Sequence, residues 1–256
     1  MLLAFDIGNT TVAIGLFRGP DLVKSWKIKT DRDKTSDDYA AVLVNLFQAA
    51  GIQPGQAEAA IVSSVVPPLT PVIQEACQGL FGLEALIVGP GLRTGMPILY
   101  ENPLEVGADR IVAAVAAFEK YGGPVIVVDF GTATTFDAVS AKGEYLGGAI
   151  APGIQISAEA LYLKTARLPR IEIRKPKRAI GRTTVASMQS GLYFGYVGLV
   201  TNTIAEIRKE LGAEARVIAT GGFGGQLLPE VPAIEAYEPD LVLRGLRIVF
   251  ERNRES

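Results

Sequence analysis

The sequence predicts an α/β protein built from two related halves. Two observations carry this prediction: β-branched apolar runs alternate with segments of helical periodicity along the 256 residues, and one hairpin motif occurs twice. Each copy of the motif is an apolar run, an aspartate, a glycine-containing turn with hydroxyl side chains, and a second apolar run. The copies are 123 positions apart, which aligns Asp6 with Asp129, Gly8 with Gly131 and Thr11 with Thr134.

Strands and helices alternate through the first half. The apolar patterns predict strands over 2–5 and 12–16, a helix over 38–50, a strand over 61–66, a helix over 68–79 and a strand over 85–88. Asn102 followed by Pro103 is typical of a helical start, and Glu105 stands where a capping-box acid would be. We place the boundary between the halves here, which gives domains over 1–101 and 102–256.

The second half repeats the order. We expect a helix over 108–121, strands near Val125, Thr134 and Tyr145, helices from Gly153 and Thr183, and a strand over 217–219. No charge occurs over 183–205, which raises the question of a transmembrane segment. Polar residues and glycines interrupt this stretch, and they favour a buried helix. Beyond the strand at 217–219 the patterns assign no further helix or strand.

Composition excludes several kinds of chemistry. The chain has no histidine, which removes Ser-His-Asp and Cys-His nucleophile systems, histidine bases and H-E-x-x-H zinc sites. Any acid or base must therefore be a carboxylate, a lysine or a tyrosine. The single cysteine, Cys77, can form neither an internal disulfide nor a C-x-x-C pair, and we expect it to pack in the core.

Charge and the start of the chain bear on partners and location. Twenty-five basic and twenty-seven acidic residues give a net charge of −2, which argues against nucleic acid as the main partner. The apolar start lacks a positively charged region and is interrupted by Asp6, so we expect no signal peptide and a cytoplasmic protein.

The two hairpin turns are typical of sites for a metal-phosphate complex. An aspartate at a strand end can hold Mg²⁺ directly or through water, while backbone N–H groups and Thr or Asn side chains face phosphate oxygens. A single turn of this kind can be only a polar hairpin tip, but two in equivalent places favour ATP binding. The sequence has neither a P-loop nor a G-x-G-x-x-G segment. The glycine-rich segment 220–225 is either a flexible loop or the element that faces adenosine.

Phosphoryl transfer also needs an acceptor hydroxyl and a group to take its proton. Asp109 suits the second role, and the Arg110 guanidinium can bind an anionic part of the substrate. The alternative is an ion pair on a helix surface. Asp129 and Asp137 compete with Asp109 as candidate bases.

These motifs jointly resemble the type III pantothenate kinase family, in order and over nearly the whole chain. The segments that carry the resemblance are Asp6-x-Gly8-Asn9-Thr10, Asn102-Pro103 leading to Gly107-Ala108-Asp109-Arg110, Asp129-x-Gly131-Thr132-Ala133-Thr134-Thr135, Gly147-Gly148-Ala149-Ile150-x-Pro152-Gly153, and Thr184 followed by Ser187-Met188-Gln189-Ser190-Gly191. The family belongs to the actin, sugar-kinase and Hsp70 superfamily. The resemblance therefore implies two duplicated ribonuclease H-like halves, with mixed β-sheets flanked by helices and an ATP cleft between them.

The resemblance also implies a reaction: transfer of the γ-phosphate of ATP to the terminal hydroxyl of pantothenate, which gives 4'-phosphopantothenate at the first step of coenzyme A synthesis. It assigns Asp109 as proton acceptor; Asp6, Gly8, Asn9, Thr10, Thr11 and Thr132 to ATP; and Tyr100, Gly107, Ala108, Arg110 and Thr184 to pantothenate. It further implies a monovalent cation, potassium or ammonium, at Asp129, and Mg²⁺ that accompanies the nucleotide near Asp6. The implied assembly is a homodimer, with no nucleic acid or membrane partner.

Other interpretations stay open at this point. The chain could be a chaperone-like or cytoskeletal ATPase, a catalytically degenerate regulatory relative, or a kinase for another small hydroxy acid. The segment 164–182 carries eight basic residues and one acid, and it is either a solvated loop or a surface that attracts anionic substrates.

Overall fold

The computed structural model describes residues 1–211 and 215–254, which form two compact units. One unit comprises residues 1–120 with 240–254, and the other comprises 121–239. The strands are β1 (Leu2–Ile7), β2 (Thr11–Arg18), β3 (Asp21–Lys29), β4 (Ala59–Ser64), β5 (Ala85–Ile87), β6 (Val125–Phe130), β7 (Ala133–Val139), β8 (Tyr145–Pro152), β9 (Arg216–Thr220) and β10 (Ala236–Tyr237). The helices are α1 (Ser36–Ala49), α2 (Leu69–Phe81), α3 (Ala108–Tyr121), α4 (Ile154–Lys164), α5 (Thr184–Leu211), α6 (Gly224–Leu227) and α7 (Leu241–Arg254).

The first unit contains a mixed five-stranded sheet in the order β3-β2-β1-β4-β5. The central strand β1 pairs antiparallel with β2 and parallel with β4. Its alternate residues Leu3, Phe5 and Ile7 are fully buried in one core cluster with residues of α1 and α2. Cys77 of α2 lies in the same cluster and is 0% exposed, which confirms the prediction that it packs in the core.

The second unit repeats this topology strand for strand. Its sheet has the order β8-β7-β6-β9-β10, with β6 antiparallel to β7 and parallel to β9. The central strand β6 begins and ends 123 positions after β1, the offset found in the sequence. Two mixed sheets flanked by helices confirm the predicted α/β fold class with duplicated halves.

The two hairpin turns differ in length by one residue, and this corrects one predicted equivalence. In the first turn the last strand pair is Ile7 with Val12, and in the second it is Phe130 with Thr134. The Gly8 N–H accordingly binds the Thr11 carbonyl, whereas the Gly131 N–H binds that of Ala133. The alignment of Thr11 with Thr134 is therefore wrong: Thr134 takes the place of the inward-facing Val12 and is 0% exposed.

The compact units differ from the domains predicted over 1–101 and 102–256. The first unit includes α3, and it also includes α7 near the end of the sequence, because α7 packs on β1, β2 and β4. Gly245 of α7 lies against the carbonyl of Val112 in α3, where a β-carbon would overlap that carbonyl. The predicted boundary separates the two repeated hairpins, whereas the packing of α3 and α7 sets the boundary of the compact unit.

The uncharged segment that begins at 183 forms most of α5. This helix buries Tyr193, Tyr196, Val200 and Ile204 in one cluster with apolar residues of the second sheet, as expected for a buried helix. Within 1–211 and 215–254, no helix is both long and apolar enough to cross a membrane.

Candidate active site

Asp6 lies one residue before the end of β1 and is half-buried. Its register partners are Ala13 on β2 and Ser63 on β4, so the strand is fixed on both sides. The Ser63 hydroxyl is fully buried and has no hydrogen-bond partner among the described residues. Neighbouring residues of parallel strands project to the same face, which places a carboxylate beside an unpaired hydroxyl.

The turn after Asp6 is held in place by a residue from another part of the chain. Thr30, which is 8% exposed, donates its hydroxyl to the Gly8 carbonyl at 2.7 Å and its N–H to the Thr10 carbonyl at 3.0 Å. Asn9, Thr10 and Thr11 are exposed at the tip. The turn therefore presents polar side chains from a fixed backbone, as a phosphate-binding turn requires.

Asp109 lies in the first turn of α3, which begins at the predicted residue, Ala108. Gly107 precedes the helix and accepts the N–H groups of Arg110 and Ile111. A β-carbon on Gly107 would overlap the Asp109 Oδ1 atom, so the glycine leaves the space that this carboxylate occupies. The Arg110 N–H donates to the same Oδ1 atom at 2.8 Å.

Burial raises the pKa of the Asp109 carboxyl above its ordinary value. The hydrogen bond from the Arg110 backbone and the nearby Arg110 guanidinium act in the opposite direction, but desolvation is the larger effect. A carboxylate with a raised pKa is a better proton acceptor than an exposed one.

Val65 connects the Asp109 region to the Asp6 turn. Its N–H donates to the carbonyl of Ile7 at 3.0 Å, and its side chain would be 3.6 Å from a β-carbon on Gly107. Within the first unit, Val65 thus lies between the aspartate-glycine turn and the candidate base.

The remaining first-unit residues assigned to pantothenate lie in α3 and in the segment before it. Ala108 and Arg110 adjoin it in α3, and Tyr100 is half-buried in the preceding segment. Asn102 caps a short 3-10 turn over Pro103–Glu105: its Oδ1 accepts the Leu104 N–H and its Nδ2 donates to Glu105 at 2.8 Å. The helical start predicted at this point is confirmed as one short turn that ends before α3.

In the second unit, Asp129 occupies on β6 the place that Asp6 has on β1. Its register partners are Thr135 on β7 and Thr220 on β9. Gly221 has a φ of 86°, and a β-carbon there would overlap the Asp129 carboxylate and the backbone of Phe130. Only glycine combines this left-handed conformation with such a close approach, so the glycine-rich segment shapes the surroundings of Asp129.

The second turn is anchored by α4 and α5. Thr132 is exposed at its tip, and the Thr132 carbonyl accepts the N–H of Gly153 at 3.1 Å. Thr134 shares a hydrogen bond with the hydroxyl of Tyr196, a buried residue of α5. Thr184, assigned to pantothenate, begins α5 and is exposed.

Asp137, named as a competing base, is 1% exposed and fully engaged within the second unit. Its carboxylate accepts the Tyr145 hydroxyl at 2.7 Å and the Thr135 hydroxyl at 3.2 Å. A buried carboxylate held in this way serves the fold and cannot reach a substrate hydroxyl. Asp137 is therefore no longer a candidate base.

A cavity of about 430 Å³ lies beside the glycine-rich segment in the second unit. Its lining includes Phe223 and Gln226 after β9, Gln155 and Glu159 of α4, and Arg170, Glu172 and Ile173 of the basic segment. An aromatic ring, aliphatic surface and amides suit the base and ribose of a nucleoside. Sequence reasoning missed a residue that shapes this region: Tyr237 donates its hydroxyl to the Gly221 carbonyl at 2.8 Å, and its ring packs on Gly224.

The candidate metal positions offer oxygen atoms. Within the described ranges, no three or more carboxylates, thiols or imidazoles are grouped to hold an ion. Asp6 beside the unpaired Ser63 hydroxyl fits Mg²⁺, which keeps several waters and takes nucleotide phosphates as ligands. Asp129, with carbonyl and hydroxyl oxygens around it, offers the hard donors that a monovalent cation needs.

Comparison with known proteins gives consistent matches. A model of the type III pantothenate kinase family matches residues 2–206. A type III pantothenate kinase from Geobacter sulfurreducens is 53% identical over 255 residues, covering 100% of both chains.

Solved structures show the same fold at low sequence identity. A protein from Campylobacter jejuni, provisionally described as a Baf family transcriptional activator, has a TM-score of 0.62 at 18% identity and covers 99% of this chain and 100% of its own. A protein from Sinorhizobium meliloti, provisionally described as a 2-dehydro-3-deoxygalactonokinase, has a TM-score of 0.60 at 11% identity, with 99% and 97% covered.

Proposed function

Since the chain belongs to the type III pantothenate kinase family, we propose that it phosphorylates pantothenate with ATP to give 4'-phosphopantothenate and ADP, the first step of coenzyme A biosynthesis. The observation that carries the proposal is the position of Asp109: a carboxylate of raised pKa at the start of α3, joined through Val65 to the phosphate-type turn after Asp6. An acid-base group beside a phosphate site is what phosphoryl transfer to an alcohol requires.

The proposed step is a direct transfer. The pantothenate hydroxyl oxygen forms a bond to the γ-phosphorus as the bond to the β,γ-bridging oxygen breaks, and the hydroxyl proton passes to the Asp109 carboxylate. The Arg110 guanidinium binds the pantothenate carboxylate and so places the hydroxyl. Because the transition state is loose, the orientation of the hydroxyl contributes more than the basicity of Asp109.

The two turns and the glycine-rich segment are assigned to ATP. Asn9, Thr10, Thr11 and Thr132 are the residues assigned to the phosphate oxygens. Asp6 would hold Mg²⁺ on the phosphates and Asp129 would hold a monovalent cation, and both ions would neutralise phosphate charge when bound. The cavity beside Phe223 receives the adenosine end.

A homodimer is part of the proposal. Large apolar side chains stay exposed on neighbouring elements of the second unit: Ile150 on β8, Leu163 on α4, Val185 and Phe194 on α5. A second copy of the chain would cover them. Light scattering should give twice the chain mass, and Phe194→Glu should halve it, whereas Val44→Glu on α1 should not; a monomeric wild type would contradict this assembly. Because its substrates are ATP and a coenzyme A precursor, we expect the enzyme in the cytoplasm.

The test is ADP release by the purified chain with ATP and Mg²⁺, with and without pantothenate, in potassium and in sodium buffer. Pantothenate-dependent release that needs potassium would support both the acceptor and the cation site. ADP release without pantothenate would indicate a simple ATPase, and no release in either buffer would favour a binding relative or another hydroxy acid as acceptor.

A further inference from the structure

An arginine outside every predicted motif contacts the first phosphate-type turn. Arg32 lies in the segment between β3 and α1, and its Nη2 atom donates to the Asn9 Oδ1 atom at 2.9 Å. Arg32 is exposed, and no carboxylate of the described residues forms an ion pair with it. A full positive charge therefore lies beside a turn that is assigned to bind a highly charged anion.

The segment that carries Arg32 is fixed at both ends. At its start, Thr30 makes the two hydrogen bonds that hold the Asn9 turn. At its end, Thr35 and Asp38 form a capping box at the start of α1. The buried Tyr39 of α1 donates its hydroxyl to the carbonyl of Asp31, the residue before Arg32, at 3.2 Å. Arg32 thus lies between Thr30, which also holds the turn, and the capped start of α1.

The chemistry of the contact determines how Asn9 is presented. A guanidinium has only donors, so the Asn9 amide must turn its oxygen toward Arg32. The two N–H groups of that amide then point away from the guanidinium, and the Asn9 side chain is exposed. Donors, and not an acceptor, are what phosphate oxygens require.

We propose that Arg32 is an additional phosphate-binding residue, which pairs with the terminal phosphate oxygens of ATP and holds Asn9 with its amide N–H groups toward them. The inference rests on the proposed function. A planar guanidinium can bind two oxygens of one phosphoryl group, and it remains charged at every working pH. The chain has no P-loop lysine, and Arg110 is assigned to pantothenate, so Arg32, which is hydrogen-bonded to Asn9, supplies a cationic side chain beside the turn.

The test compares Arg32→Gln and Arg32→Lys with a matched control, Lys24→Gln. Lys24 is an exposed cation on β3, the strand that leads to Arg32, and it pairs with Leu16, away from the turn. We expect Arg32→Gln to weaken binding of a non-hydrolysable ATP analogue by about tenfold or more in calorimetry, the range of a lost charged hydrogen bond, and to weaken binding of ADP, which lacks the terminal phosphate, by less. Arg32→Lys should bind the ATP analogue more tightly than Arg32→Gln does, but less tightly than the wild type. In both variants the KM for pantothenate should stay within about twofold of the wild-type value.

A double-mutant cycle with Asn9→Ala tests the positioning role. If Arg32 orients the Asn9 amide, the effects of the two changes on nucleotide affinity are not additive; additive effects would overturn that role. Equal losses in Arg32→Gln and Lys24→Gln, or nucleotide affinity in Arg32→Gln equal to that of the wild type, would overturn phosphate binding. Nucleotide affinity is measured without pantothenate, so these outcomes are independent of whether pantothenate is the acceptor.

Discussion

Replacing Gly107 by alanine should displace the Asp109 carboxylate, the proposed proton acceptor, without unfolding the protein. A β-carbon at this position would overlap the Asp109 Oδ1 atom, while the next neighbour, a methyl group of Val65, would be at an ordinary 3.6 Å. The φ of Gly107 is not in the left-handed region, so alanine fits the backbone. The atom that must move is the end of a side chain, and Asp109 relieves the overlap by rotating.

The size of the effect follows from what the rotation removes. The carboxylate loses its 2.8 Å hydrogen bond from the Arg110 N–H, which otherwise fixes the position of the Oδ1 atom. A misplacement of about 1 Å in a reacting group can reduce a rate by about 100-fold. We therefore expect kcat to fall by about 100-fold, with the KM for ATP unchanged and the free energy of unfolding within about 1 kcal/mol of the wild type.

The assay is pantothenate-dependent ADP release, measured with urea denaturation of the same preparations. Gly79→Ala in α2 is the control, because a β-carbon there meets no atom within 4 Å; it should leave kcat unchanged. Wild-type kcat in Gly107→Ala would refute the argument that this glycine makes room for the base, and a loss of folding would show that the overlap is not relieved by the side chain.

Three further predictions concern the pH response and the fold. Because burial raises the pKa of Asp109, kcat should fall on acidification at a higher pH than an ordinary aspartate would give. Asp109→Asn should unfold at no lower temperature than the wild type at pH 7. The difference between the two unfolding temperatures should shrink as the pH falls and the carboxyl of the wild type becomes protonated. Tyr145→Phe removes the 2.7 Å donor to the buried Asp137 and should reduce the free energy of unfolding by about 1–3 kcal/mol in urea denaturation. Gly245→Ala would push α7 from α3 and should cost about 1–3 kcal/mol by the same measurement. A fall of kcat at the pH expected for an ordinary aspartate would contradict the raised pKa of Asp109. A wild-type free energy of unfolding in Tyr145→Phe or in Gly245→Ala would contradict the argument for that variant.

Local sequence patterns were sufficient for the elements whose environment is simple. The strands β1 and β6 are buried on both faces, so they appear as continuous apolar runs, and α3 begins and ends at the predicted residues. The strand β3 was missed because it lies at a sheet edge and carries charged residues among its apolar ones. The helix α7 was also missed. Its buried face has helical spacing, at Leu243, Leu246 and Val249, but the helix carries many charged residues and follows a long segment rich in turns.

The motifs predicted which site residues to examine, but not what holds them. Thr30 supports the Gly8 turn from 22 positions away, and Tyr237 supports Gly221 from 16 positions away. Such contacts exist only after the sheets have formed. The one-residue difference between the two turns likewise depends on which residues pair across each hairpin. The recurrence of the same residue types at a constant spacing in the sequence does not reveal this pairing.

We propose that Asp109 takes the proton as phosphate passes from ATP to pantothenate. The most direct test of this proposal is mass spectrometry of pantothenate after incubation with ATP, Mg²⁺ and potassium, for the wild type and for Asp109→Asn. The account predicts one added phosphoryl group on pantothenate with the wild type and almost none with the variant, although calorimetry shows that both bind ATP. Phosphorylated pantothenate at equal rates from both proteins would contradict it.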